Sequence, residues 1–332
     1  MYFIYFYYYY FSFPLLLISN MMIFMYNSSF YMWMIMEFNM MCFMSMLMIY
    51  KFYYSQILMN YFLVQSYNSY LFLLGSFLIN LNFLSEFLVI LILFSLFSKM
   101  GLFPFHSWYL IMMKQLNWLM FYINSSLQKF IPLMIVSFYY CDMFNIYLFM
   151  MLLFVIFPVI SIKSMSIKII LAISSLIQVL WMLIFMNFNE KGWILYYLFY
   201  LFLSGVMILM FNEYKILYIY DMSSFKKSLI IMFMFNFMIF SLAMLPPFTG
   251  FIIKLIFVEN MISLMNYLYM IFMMMISLMN LYFYLRIMYY NSLIYQEVFN
   301  KKFNYMNLMI NFFNFIMIWI LMGFMVIAYE LM

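Results

Sequence analysis

Apolar runs of about twenty residues follow one another along this chain with few polar intervals, and as helices they match the hydrocarbon thickness of a bilayer. The 332 residues are 71% hydrophobic and 7% charged, with a mean hydropathy of +1.10. That leaves too little polar surface to cover a soluble core. The runs do not alternate with period two, so helices are expected to span the membrane rather than barrel strands. The expected fold class is all-α, a polytopic membrane protein. The opening run MYFIYFYYYYFSFPLLLI has no basic leader and no small-residue cleavage site, and is read as a first span.

Eleven spans are expected, near 3–24, 30–49, 57–79, 83–112, 117–139, 145–162, 166–187, 193–212, 228–260, 266–288 and 309–330. The fourth and ninth are too long for one straight crossing and contain GLFP (Gly101 to Pro104) and LPPFTG (Leu245 to Gly250, within 245–250). Proline removes a backbone donor and clashes with the preceding turn, so both are expected to be broken helices. Non-helical backbone is tolerated at membrane depth only where protein or a hydrated cavity supplies partners.

Loop charges set the orientation. Connections after even-numbered spans carry Lys51, Lys114, Lys163, Lys215, Lys226, Lys227, Lys301 and Lys302, whereas those after odd-numbered spans carry Lys191 alone. By the positive-inside rule the N-terminus faces the matrix or cytoplasm and the C-terminus the opposite side. Most of these lysines are topology determinants. The net charge of +5 is therefore a matter of loops, and no nucleic-acid partner is expected.

Other residue types narrow the reading. Cys42 and Cys141 have no CxxC spacing, and His106 is the single histidine, which gives no support to a disulfide framework, an iron–sulfur cluster or a zinc site. Met 45, Phe 46 and Tyr 34, beside only Gly 6 and Pro 6, is what a strongly AT-rich gene encodes when ATA is read as methionine. That is the mitochondrial code. Packing physics gives no reason to avoid glycine, which transmembrane interfaces favour.

Four charges stay within the hydrophobic layer: Glu37 in the second span, Lys99 in the broken fourth, Lys129 in the fifth and Lys254 in the broken ninth. An ammonium at the bilayer centre costs at least ~2.5 kcal/mol on insertion scales, so each calls for a function and a partner. Lys168 and Glu86 lie nearer span ends, where they can snorkel to the interface. An amine taken out of water holds its proton less tightly, and a nearby carboxylate restores the hold. A carboxylate and a series of single lysines spread over several spans therefore reads as a proton relay.

Six segments then resemble one family in its order and spacing: WMIMEFNMM (Trp33 to Met41), SKMGLFPFHSW (Ser98 to Trp108), NSSLQKFIP (Asn124 to Pro132), SIKIILAISSLIQVLWM (Ser166 to Met182), MLPPFTGFIIK (Met244 to Lys254) and NLYFYLR (Asn280 to Arg286). They are similar to the motifs of the mitochondrial NADH-ubiquinone oxidoreductase chain 2 family, over almost the whole chain. The resemblance implies a membrane-arm subunit of respiratory complex I with an antiporter-like fold of inverted repeats, each holding one broken helix. One repeat is expected over about 1–139, a second over about 145–288 and a C-terminal helix over about 309–330, all in one membrane domain. It implies that Glu37 and Lys99 form the coupling ion pair, that Lys129 is the central relay lysine and that Lys254 stands near proton exit. His106 would help hydrate the path, and Lys168 would have a secondary part.

The resemblance also implies the setting. The chain would lie in the mitochondrial inner membrane, N-terminus to the matrix and C-terminus to the intermembrane space, among other membrane-arm and supernumerary subunits and phospholipids including cardiolipin. It would hold no cofactor of its own, while the complex as a whole holds FMN, iron–sulfur clusters and ubiquinone. The chain departs from the family pattern at several positions: Leu110-Ile111-Met112 replaces Pro-Glu-Val, Ile169 replaces a second basic residue after Lys168, Gln178 replaces a histidine, Leu127 a tryptophan and Met244 a glycine. Two further readings stay open, a stand-alone cation/proton antiporter and a scaffold subunit without transport.

Overall fold

In a layer without water each backbone N–H and C=O must find its partner inside the chain, and the helix is the local solution. The computed structural model describes residues 2–25, 28–48, 55–80, 85–139, 164–186, 192–224, 229–245, 248–263 and 267–292, and helices account for nearly all of them. It divides into two compact units, residues 1–144 and 145–332.

The first unit contains α1 (Tyr2–Met22), α2 (Ser29–Met48), α3 (Ser55–Asn80), α4 (Ser85–Met100), α5 (His106–Gln115), α6 (Trp118–Ser125) and α7 (Leu127–Phe138). Successive helices from α1 to α4 pack side by side, and α7 lies against α1, α2 and α4. Gly75 permits a close approach of α3 to α4, since a Cβ there would stand 2.8 Å from Ile92 Cγ1. The enclosed α7 buries Lys129 and Ile131 to Val136.

The second unit contains α8 (Ile167–Met186), α9 (Gly192–Tyr214), a 3-10 turn (Ile219–Ser224), α10 (Leu229–Leu242), α11 (Thr249–Ser263) and α12 (Tyr267–Ser292). α8 is apolar all round and buried along almost its whole length, packed by α9 and α12. Its entrance is clasped by backbone bonds from Ile167 N–H to Leu217 O (3.0 Å) and from Ile219 N–H to Met165 O (3.1 Å). The Arg286 guanidinium of α12 donates to Ser164 O at 2.7 Å beside it.

Nine of the expected spans coincide with these helices; those near 145–162 and 309–330 lie outside the described residues. Among the described residues six helical stretches are long and apolar enough to cross a membrane, with α6 and α7 counted together as Trp118–Phe138, and Tyr10–Met22 and Phe87–Met100 are shorter apolar stretches.

Both expected breaks are present, and they share one geometry. α4 closes with Gly101 N–H on Ser98 O (3.2 Å) and Leu102 N–H on Phe97 O (3.0 Å), followed by Phe105 N–H on Leu102 O (2.8 Å). α10 closes with Met244 N–H on Ser241 O (3.0 Å) and Leu245 N–H on Phe240 O (3.2 Å), followed by Phe248 N–H on Leu245 O (2.9 Å). This is the Schellman closure, which needs a left-handed residue after the helix. Gly101 supplies it at φ 74°, and Met244 supplies it at φ 55°. Each helix has thus ended before its proline is reached; Pro246 and Pro247 themselves lie outside the described residues.

The fifth expected span differs from a straight helix. Ser126 leaves helical geometry at φ −119°, ψ −80° and separates α6 from α7. The Ser125 hydroxyl donates to Tyr122 O at 3.1 Å and the Ser126 hydroxyl donates to the same carbonyl. Serine hydroxyls that compete for helix carbonyls bend helices, and Pro132 adds to the effect by withdrawing the donor that Gln128 O would use.

Candidate functional site

Lys99 sits in the last turn of α4, 7% exposed, at the lip of the first break. Ending a helix in the membrane frees carbonyls, and neighbouring side chains take them up: Trp108 Nε1 donates to Ser98 O and Gln65 Nε2 to Lys99 O, each at 3.2 Å. Glu37 is half-buried on α2, and its carboxylate accepts a hydrogen bond from Ser69 of α3. Both residues expected to pair are thus tied to α3, Glu37 by Ser69 and the Lys99 carbonyl by Gln65.

Lys129 lies on α7, 2% exposed, with its amine 4.6 Å from the centroid of the Tyr109 ring. A desolvated ammonium over an aromatic face gains about 2 kcal/mol. Beside it runs a directed chain of side-chain hydrogen bonds. Tyr61 donates to Gln128 Oε1 (3.2 Å), Gln128 to Asn39 Oδ1 (3.0 Å), Asn39 to Asn20 Oδ1 (3.4 Å) and Asn20 to Leu127 O (3.4 Å). Four helices are tied by groups of which the sequence reading singled out none.

In the second unit Lys254 of α11 is 8% exposed, its amine 5.4 Å from the Trp181 ring of α8. Phe257 backs this ring edge-on at 4.7 Å. The same stripe of α8 carries Gln178, which accepts from the Tyr196 hydroxyl, and Ser174, whose hydroxyl donates to Leu171 O at 2.9 Å. Tyr196 also reaches Met244 Sδ at 3.6 Å, so the second break touches this polar stripe. Gly250 lets α11 start against the end of α10, since a Cβ there would stand 2.4 Å from Ser241 O.

No family model matches the chain. A NADH-ubiquinone oxidoreductase chain 2 of Anopheles gambiae is 31% identical over 272 residues, 76% of this chain and 79% of that one. The chain belongs to the NADH-ubiquinone oxidoreductase chain 2 family. The family's member from Rhipicephalus sanguineus is 30% identical over 267 residues, 79% of this chain and 82% of its own length. That of Aedes aegypti is 35% identical over 207 residues, covering 61% of this chain and 59% of its own. Among solved structures, a chain of respiratory complex I from Thermus thermophilus with bound aureothin superposes at TM-score 0.72 and 17% identity, over 80% of this chain and 66% of that one. A chain of the Mrp complex from Dietzia superposes at TM-score 0.67 and 16% identity, over 79% of this chain. This chain spans just under two thirds of the first bacterial chain, 66%, and 56% of the second. The antiporter-like fold expected from the motifs is the fold that these superpositions share.

The remaining positions of the chain 2 motifs are placed as follows. His106 opens α5, half-buried, with Nδ1 3.2 Å from Pro104 O and its ring stacked on Phe103 at 5.4 Å. Lys168 is half-buried in the first turn of α8. Gln178, in place of the family's histidine, keeps a buried polar contact through Tyr196. Met244, in place of its glycine, occupies the left-handed position of the second break.

Proposed function

We propose that this chain is a core membrane-arm subunit of proton-translocating NADH:ubiquinone oxidoreductase, moving protons from the matrix to the intermembrane space as electrons pass through other subunits. Family membership supports the assignment to the complex. The single observation that carries the mechanism is the placement of Glu37, Lys99, Lys129 and Lys254 in or against the enclosed helices, three of the four almost fully buried. Ionisable groups at that depth are expensive and mark ion pathways.

In the proposed cycle, redox-driven changes in neighbouring subunits alter the field at Glu37 and Lys99. The change in that couple shifts the protonation of Lys129 and, in the second repeat, of Lys254, with His106 and Lys168 in secondary roles. The helix breaks supply the bistable elements that such coupling requires. The chain itself contributes amines, a carboxylate and their surroundings, while FMN, iron–sulfur clusters and ubiquinone belong to the rest of the complex. The lysine bias of the loops supports a matrix-facing N-terminus, and the composition supports the mitochondrial inner membrane. Repeats over about 1–139 and 145–288 with a helix over about 309–330, and contacts with other membrane-arm subunits and phospholipids, complete the reading.

The test is Lys129→Met in the assembled complex, with proton uptake by coupled vesicles measured against NADH oxidation. The expected result is sustained oxidation with a lower proton-to-electron ratio; an unchanged ratio removes Lys129 from the path. Glu37→Gln should slow coupled turnover, and loss of assembly as its sole effect would assign Glu37 a structural role.

A further inference from the structure

The relay reading needs a way for protons to reach Glu37, and the carboxylate that the chain 2 motif carries after Trp108 is Ile111 here. A cavity of about 90 Å³ opens between the first turns of α3 and the last turns of α5. Its rim holds exposed Gln56, Asn60 and Gln115, and its floor holds buried Ile57, Tyr61 and Met112. The volume admits several water molecules and the amides offer the polar partners that such water needs. On the lysine-bias orientation this end of both helices faces the matrix.

From the floor a buried polar stripe climbs α3 at helical spacing: Tyr61, Gln65 and Ser69, all under 9% exposed. At 1.5 Å per residue it rises about 12 Å. Each of its members holds a part of the site. Tyr61 bonds Gln128 beside Lys129, Gln65 bonds the Lys99 carbonyl and Ser69 bonds the Glu37 carboxylate. Trp108, in the cavity wall, bonds the carbonyl that precedes Lys99.

The chain Tyr61, Gln128, Asn39, Asn20 cannot itself carry protons, because amides neither take up nor release them near neutral pH. It fixes the Tyr61 hydroxyl with its hydrogen on Gln128, which leaves the oxygen lone pairs to accept from water.

We propose that the α3–α5 cavity is the aqueous inlet of this subunit and that Tyr61, Gln65 and Ser69 order the water between it and Glu37. A hydronium ion in the cavity gives up its proton along that water. The Glu37 carboxylate receives it, water is left behind, and Tyr61 keeps its own proton as a positioning residue. The inlet rests on the relay reading above, so the test separates the two.

Tyr61→Phe, Gln65→Leu and Asn60→Leu are to be compared with Lys129→Met in the assembled complex, with Tyr67→Phe on the exposed face of α3 as the reference. The three inlet variants should oxidise NADH yet lose proton uptake to the level of Lys129→Met, and the deuterium solvent isotope effect on coupled turnover should rise in Tyr61→Phe. Tyr67→Phe should leave both readings unchanged. Normal ratios and isotope effects in the inlet variants beside a lowered ratio in Lys129→Met overturn the inlet and keep the relay. Normal ratios in all four overturn both. Asn60→Leu, at the exposed rim, reads the same question if Tyr61→Phe fails to assemble.

Discussion

Tyr109 stands between the first helix break and Lys129. Its ring lies 4.6 Å from the Lys129 amine, while a Cβ added to Gly101 would come within 2.7 Å of the Tyr109 Cβ. One side chain therefore touches the left-handed turn that ends α4 and the amine proposed as the centre of the relay.

Tyr109→Phe keeps that aromatic face and should keep the proton-to-electron ratio, whereas Tyr109→Leu removes it and should lower the ratio without loss of NADH oxidation. The difference corresponds to a cation–π contribution of about 2 kcal/mol in a desolvated setting. Vesicle acidification measured against NADH consumption distinguishes the two. Equal ratios in both variants would mean that the ring only fills space.

Gly250→Ala should be the most damaging single-methyl change near the second break. Its Cβ would stand 2.4 Å from Ser241 O, a backbone atom that cannot move aside cheaply. Gly101→Ala should cost at least about 1–2 kcal/mol for its left-handed conformation, with the Tyr109 contact in addition. The amount of assembled complex on native gels should fall in both, and further in Gly250→Ala.

Met244→Gly should destabilise the chain. Glycine escapes a penalty of about 1–2 kcal/mol at φ 55°, but a methionine side chain only 5% exposed is lost, and emptying such a site costs about 2–5 kcal/mol. The temperature of irreversible loss of NADH-driven pumping should fall. A higher temperature would mean that the strain outweighs the methionine contacts.

Ser69→Ala removes the hydroxyl that holds the Glu37 carboxylate, a charged hydrogen bond worth about 1.5–3 kcal/mol. Coupled turnover should fall in the direction of Glu37→Gln, and Ser69→Thr should recover it. Rates of NADH oxidation with and without an uncoupler separate a coupling defect from a loss of enzyme.

The four charged positions were legible in the sequence because a charge inside a long apolar run is visible without any knowledge of its neighbours. The same holds for the breaks at Gly101 to Pro104 and Leu245 to Gly250, which are local matters of backbone donors and glycine. The kink at Ser126 was missed, since a serine in a helix bends it only when its hydroxyl turns back to a carbonyl. Gln65 and Ser69 were readable in principle as polar residues four apart in an apolar helix. Tyr109, Tyr61 and Trp181 were not, for nothing sets one tyrosine among 34 apart until a lysine or an amide lies against it.

Length and hydropathy determined, from the chain alone, that this is a polytopic helical protein with ionisable groups inside its apolar runs, because transfer into lipid acts on each segment separately. Tertiary structure alone decided that Glu37 is held by Ser69, that Lys129 and Lys254 rest on aromatic rings, and that Tyr61 joins a cavity to a chain of amides. Those partners come from different helices, and the contacts between them depend on how the helices pack rather than on any spacing along the chain.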